Sequence, residues 1–114
     1  ADPTCKPLIV TPPFPAYVSG HSTFSSAASV VLTRLFGPSV NFVSQSDTQS
    51  GWRLVSSTEP SPKLRTFTGF IQAAEEAGMS RIYGGIHFNF DNTQGLKLGT
   101  DIGEYVSKNA LKKR

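Results

Sequence analysis

Apolar residues recur at three- and four-residue spacing in three stretches of this chain, which predicts three helices. The first covers Ser22 to Phe36, with Phe24, Ala27, Ala28, Val31, Leu32 and Leu35 on one face. Ser19 or Ser22 can cap it, and Gly37-Pro38 stops it. The second begins at Thr66 or Thr68, carries Phe67, Phe70, Ile71, Ala73, Ala74 and Ala77, and ends at Gly78. The third runs from about Asp91 to Ala110, with Leu98, Ile102, Tyr105, Val106 and Leu111 on its apolar face. Gly95, Gly99 and Gly103 repeat every fourth residue within it. Glycine costs up to about 1 kcal/mol in a helix interior, so such a row marks a face where another helix approaches closely.

The intervening segments read differently. Residues 1–18 hold five prolines, which forbid a helix and favour an extended path. Residues 38–65 are rich in Ser, Thr, Gln and Pro, with Phe42, Trp52 and Leu54 as isolated anchors. They are expected to form a long surface loop, of a length that in a compact domain is often functional or wraps a neighbouring chain. Met79–Asn89 contains adjacent glycines and reads as a turn or short helix. The expected fold class is all-α, about three helices and a long loop over residues 1–114.

Length and composition limit the function. At 114 residues this is at most one small domain. The net charge of +3 suits an anionic ligand. Lys and Arg are scattered without interleaved aromatics, which argues against nucleic acid. The basic cluster Lys108, Lys112, Lys113 and Arg114 complements the C-terminal end of the last helix. Cys5 is the single cysteine, so no internal disulfide forms and the compartment stays open. No apolar run approaches a membrane span. The chain begins Ala-Asp-Pro and reads as a processed product or a piece of a longer protein.

The candidate chemistry lies in two short stretches that hold both histidines. One is Pro12-Pro13-Phe14-Pro15-Ala16-Tyr17-Val18-Ser19-Gly20-His21. The other is Ser80-Arg81-Ile82-Tyr83-Gly84-Gly85-Ile86-His87-Phe88-Asn89-Phe90-Asp91. Ser19-Gly20-His21 precedes a predicted helix, whose first N–H groups and positive dipole end favour an oxyanion. Gly20 allows close backbone approach, and the Ser19 hydroxyl adds a donor. Arg81 supplies planar paired donors, and Asp91, one turn beyond His87, can orient its imidazole. Read alone, the first motif is equally a turn with a helix cap, and the second an ordinary ion pair on a helical turn. Tyr17 and Tyr83 are equally plain packing residues.

Taken together, the two motifs resemble those of the vanadium-dependent haloperoxidases, within the type 2 phosphatidic acid phosphatase superfamily. The shared pattern is Ser-Gly-His, then Ser-Arg, five residues, His, three residues, Asp, matched at residues 19–21 and 80–91. The resemblance extends more loosely over 11–36 and 67–106. It implies vanadate as cofactor, with His87 bonding the metal. His21 would then be general acid and base, and Ser19, the Gly20 N–H and Arg81 would hold oxygens. It also implies that Phe14 shapes a halide pocket and that Asp91 acts behind His87. The implied reaction is oxidation of halide by hydrogen peroxide to hypohalous acid, which meets small organic substrates. An acid phosphatase working through a phosphohistidine on small phosphoesters is the alternative, and a non-enzymatic anion-binding fragment or subunit the third.

Two departures stand out. Val18 replaces a common proline. The family's upstream Lys, six residues, Arg-Pro is missing, since Lys6 leads to Pro13. Three helices cannot enclose the site, so the chain is expected to be the C-terminal part of a catalytic domain. A missing N-terminal portion or a second chain would complete it, packing on the glycine row of the last helix.

Overall fold

The computed structural model describes residues 4, 6–45 and 64–110. The elements are α1 (Gly20–Phe36), β1 (Phe42–Gln45), β2 (Leu64–Phe67), α2 (Phe70–Tyr83) and α3 (Asn89–Asn109). Cys5, Trp52, Leu54, Leu111, Lys112, Lys113 and Arg114 lie outside the described residues. The chain is mostly helical, as the periodicity predicts.

Local chemistry sets the helix ends. Ser19 is the N-cap of α1, its hydroxyl accepting the Ser22 N–H at 3.4 Å. Gly37, at φ 96°, closes the other end, its N–H bonding the Thr33 carbonyl at 2.9 Å. At the start of α2, Gln72 Oε1 reaches back to accept the Thr68 N–H at 2.9 Å. Helix α3 begins two residues before Asp91, whose Oδ2 accepts the Phe88 N–H at 3.0 Å. The carboxylate in the first turn thus meets both an orphan donor and the positive end of the dipole.

Two sequence expectations about boundaries are corrected. Gly78 does not end α2, which continues to Tyr83. It is a close-approach glycine: a Cβ there would collide with Asn92 Oδ1 and lie 3.0 Å from Ser22 Oγ. The expected loop over 38–65 also starts and finishes as a strand pair. β1 and β2 are antiparallel, with Phe42 opposite Phe67 and Gln45 opposite Leu64. The Phe42 and Phe67 rings lie 5.3 Å apart and Phe42 and Phe70 5.4 Å apart, a cross-strand aromatic pairing that favours the ladder. Residues 46–63 of that expected loop lie outside the described residues.

Burial follows close approach of the helices rather than their apolar stripes. The two ends of the α1 stripe face away from the described chain, Phe24 at 78 % and Leu35 at 60 % exposure, while Ala27 packs on Gly103. The α1 serines Ser22, Ser26 and Ser29 are buried instead. Leu98, Ile102 and Tyr105 of α3 are exposed, while Gly95, Gly99 and Gly103 are buried. The reason is close approach. Cβ atoms built on those glycines would meet Ser19 O at 2.8 Å, the Thr23 carbonyl, and Ala27 O at 2.7 Å in turn. Ser26 bridges the seam, donating to the Leu96 carbonyl at 2.8 Å and lying 3.0 Å from Thr100 Oγ1. The glycine row therefore packs on α1 of the same chain and not on a missing portion.

The matched order of those contacts makes α1 and α3 parallel, with Ser19 beside Gly95 and Ala27 beside Gly103. Their N-termini lie at one end. Phe36 meets Phe70 at 6.3 Å, whereas Gly78 reaches Ser22. Helix α2 therefore runs back toward that same end and delivers Arg81 there. The Tyr17–Val18 peptide is cis.

Candidate oxyanion site

The two motifs meet at this end. The Ser19 N–H donates to the Asp91 carbonyl at 3.1 Å, joining the α1 cap to the first turn of α3. The Tyr17 and Phe90 rings stack at 5.9 Å across the same seam. Two positive helix termini thus converge. Parallel dipoles placed side by side repel, and an anion at their shared N-terminal end relieves that repulsion.

His87 lies in the link between α2 and α3 and is buried. Its Nδ1 is 3.4 Å from Asp91 Oδ2, and Asp91 is 0 % exposed. With Nδ1 donating to the carboxylate, Nε2 is left with a free lone pair. Asp91 Oδ1 has no partner among the described residues. Arg81, in the last turn of α2, is half-buried and forms no ion pair among them, and its buried Nε is likewise unpartnered. Burial lowers the Arg81 pKa, yet a guanidinium stays charged in proteins.

His21 stands exposed at the start of α1. Its pKa is lowered by partial burial first, then by the charge of Arg81, then by His87. Arg81 and the two imidazoles therefore share one electrostatic neighbourhood. Because the folded His21 binds its proton less readily than the unfolded one, stability rises with pH between the lowered folded value and 6.5. The pH dependence of the denaturation midpoint around pH 6.5 is expected to be steeper in the native sequence than in His21→Gln.

Ser19 is fully buried and joined in a chain of polar groups. Ser22 Oγ lies 2.9 Å from Ser19 Oγ and 2.7 Å from Asn92 Oδ1. Asn92 Nδ2 in turn lies 3.7 Å from Met79 Sδ. Ser22 has one hydroxyl proton for two acceptors, so when it donates to Asn92 the Ser19 hydroxyl can donate to Ser22. Asn92, buried here, escaped the sequence reading because its partner Ser22 is seventy residues away. Gly20 differs from the other helical glycines: a Cβ there would meet only Phe24 Cε2, at 4.0 Å. No part of the described chain fills the space that this glycine keeps clear. Phe14 is exposed in the proline segment.

Among the described residues no group of three or more His, Cys, Asp or Glu is placed to hold a metal cation, and no helix is long and apolar enough to cross a membrane.

A family model described as "VCPO second helical-bundle domain" matches residues 1–113. The crystal structure of a bacterial vanadium-dependent iodoperoxidase superposes on this chain with a TM-score of 0.74 at 44 % identity. This chain belongs to the vanadium haloperoxidase family. The superposition covers 91 % of this chain and 23 % of the iodoperoxidase, so the chain spans about a quarter of that protein's length. A comparison with curated proteins returned no match. For a vanadium haloperoxidase, the outward apolar stripes of α1 and α3 have a simple reading, since a helical bundle needs further helices against them.

Proposed function

We propose that this chain supplies part of a vanadate site at which the whole protein oxidises halide with hydrogen peroxide to hypohalous acid, which then reacts with small organic substrates. The observation that carries this reading is uncompensated positive charge. Arg81 lacks an acidic partner among the described residues, both histidines lie near it, and two helix N-termini meet there. These residues fit a tetrahedral oxyanion: the orphaned Arg81 Nε and the open space at Gly20 are the groups it would occupy.

His87, held through Nδ1 by Asp91, would bond the metal through Nε2. Arg81, the Gly20 N–H and the Ser19 hydroxyl would hold oxygens. His21, kept neutral at neutral pH by burial and the neighbouring cations, would accept and return a proton. Phe14 would border the halide. Vanadate, when bound, supplies the Lewis acidity that polarises peroxide toward the halide. Iodide is the first halide to test, because the 44 % identical structure is that of an iodoperoxidase.

The missing Lys and Arg-Pro element is assigned to the part of the protein outside this chain, or to a second chain. The exposed stripe of Phe24 and Leu35 on α1, and that of Leu98, Ile102 and Tyr105 on α3, support such a neighbour.

The test is peroxide-dependent triiodide formation by the whole protein, titrated with vanadate. Activity that appears with vanadate and is displaced by phosphate is expected. Vanadate-inhibited hydrolysis of p-nitrophenyl phosphate, without halide oxidation, would replace the reading with the phosphatase one. No vanadate binding at all would leave the chain an anion-binding or structural part.

A further inference from the structure

The proline segment is pinned to the second motif at two points, one on each side of His87. The Ile9 N–H donates to the Gly84 carbonyl at 3.3 Å, and the Ser19 N–H donates to the Asp91 carbonyl at 3.1 Å. Between the pins lie Pro12, Pro13 and Pro15, whose fixed φ angles stiffen the span. The landing points are residues 84 and 91, so the span bridges the His87 link from outside.

Turn and span are shaped to each other at the first pin. A Cβ on Gly84 would lie 2.8 Å from Ile9 Cδ1 and 3.0 Å from Cγ1. Gly85 has φ +75°, a conformation that favours glycine, and a Cβ there would lie 3.1 Å from Pro7 Cα. The turn itself is closed by Gly84 N–H to Ser80 O at 2.9 Å, Gly85 N–H to Ile82 O at 2.9 Å and Ile86 N–H to Arg81 O at 3.2 Å. Arg81 contributes its own carbonyl to this turn. A displacement of Gly84 is therefore felt at Arg81 on one side and at His87 on the other.

We propose that residues 9–19 act as a splint, and that Ile9, through its fit against Gly84, is a positioning residue that sets the place of His87 relative to Ser19-Gly20-His21. Ile9 touches neither reacting atoms nor the oxyanion; it acts through the turn. The consequence for vanadate rests on the function proposed above, whereas the placement of His87 does not.

The test uses Gly84→Ala, Ile9→Ala and the double variant in the whole protein. The His87 imidazole resonances, assigned by their loss in His87→Gln, are expected to move in Gly84→Ala and to return in the double variant, where the smaller Ile9→Ala side chain accepts the new methyl. Vanadate affinity is expected to fall about tenfold or more in Gly84→Ala, the size of effect that follows when one charge-assisted contact is displaced. The double variant should regain most of it. Resonances that stay in place in a folded Gly84→Ala, or that fail to return in the double variant, overturn the proposal. If Gly84→Ala does not fold, Ile9→Pro removes the same pin by deleting its N–H, and unmoved His87 resonances there overturn it equally. A native protein that binds no vanadate would sink the functional reading, while the resonances still decide the splint.

Discussion

On the function proposed above, His87→Ala is expected to abolish vanadate-dependent halide oxidation by the whole protein and to weaken vanadate binding by about tenfold to a hundredfold. Charge-assisted contacts are worth about 1.5–3 kcal/mol each, and a tenfold change is about 1.4 kcal/mol, so losing one strong contact alone accounts for that range. The variant also has a structural cost. His87 is buried, and its Nδ1 lies 3.4 Å from Asp91 Oδ2. Removing it leaves a fully buried carboxylate with the Phe88 N–H as its remaining partner. An unpaired buried acceptor costs about 1–3 kcal/mol, so the melting temperature should fall too.

His21→Ala separates the two effects. His21 is exposed, so folding and vanadate binding should survive while turnover falls by about 10²–10⁴. Equilibrium titration and steady-state rates on both variants distinguish binding from proton transfer. Undiminished vanadate-dependent oxidation in His87→Ala would refute the assignment.

Gly99→Ala is the second large expectation, and its sign is diagnostic. Helix propensity alone predicts stabilisation by about 1 kcal/mol. Packing predicts the reverse. A Cβ at Gly99 would collide with the Thr23 carbonyl and lie 2.7 Å from Ser26 Cβ and 3.0 Å from Ala27 N. Two of those three atoms are backbone of α1, which cannot rotate aside. Overpacking of this kind costs about 1–3 kcal/mol, and a backbone clash belongs at the upper end. The net expectation is a loss of about 2 kcal/mol, read from chemical denaturation. Parting α1 from α3 would also separate Ser19 from Asp91, so vanadate affinity should drop with stability. Stabilisation by Gly99→Ala would mean that the parallel helix pair is not packed this closely.

Much of this protein was legible along the chain. Helix positions were, because periodicity, capping serine and Gly-Pro stop are local features whose partners lie within a turn. The glycine row announced a close helix contact, since nothing local favours glycine in a helix. The Ser-Gly-His and Ser-Arg motifs together pointed to the family by resemblance, since both are short and local patterns.

What the tertiary structure alone decided was the identity of partners. The periodicity of α1 sets its apolar positions on one face, and the fold buries Ser22, Ser26 and Ser29 while Phe24 faces outward. Periodicity shows that two faces differ but not which neighbour each meets. In a piece of a larger bundle, the small polar face can be the one filled within the chain. The glycine row fits a missing portion equally well by sequence, and the fold shows that α1 occupies it. Gly78 looked like a helix stop, because its reason, room for Asn92 and Ser22, comes from residues distant in sequence. The pairing of β1 with β2 was hidden likewise, since strands of four residues carry too little pattern to be seen until they meet. The chain by itself determines where its helices run and which two motifs carry the family resemblance. Only the fold, by setting α1 and α3 parallel and bringing α2 back to their shared end, turns two motifs sixty residues apart into one positive site. Contacts between such distant residues depend on the packing of the whole, and no local pattern encodes them.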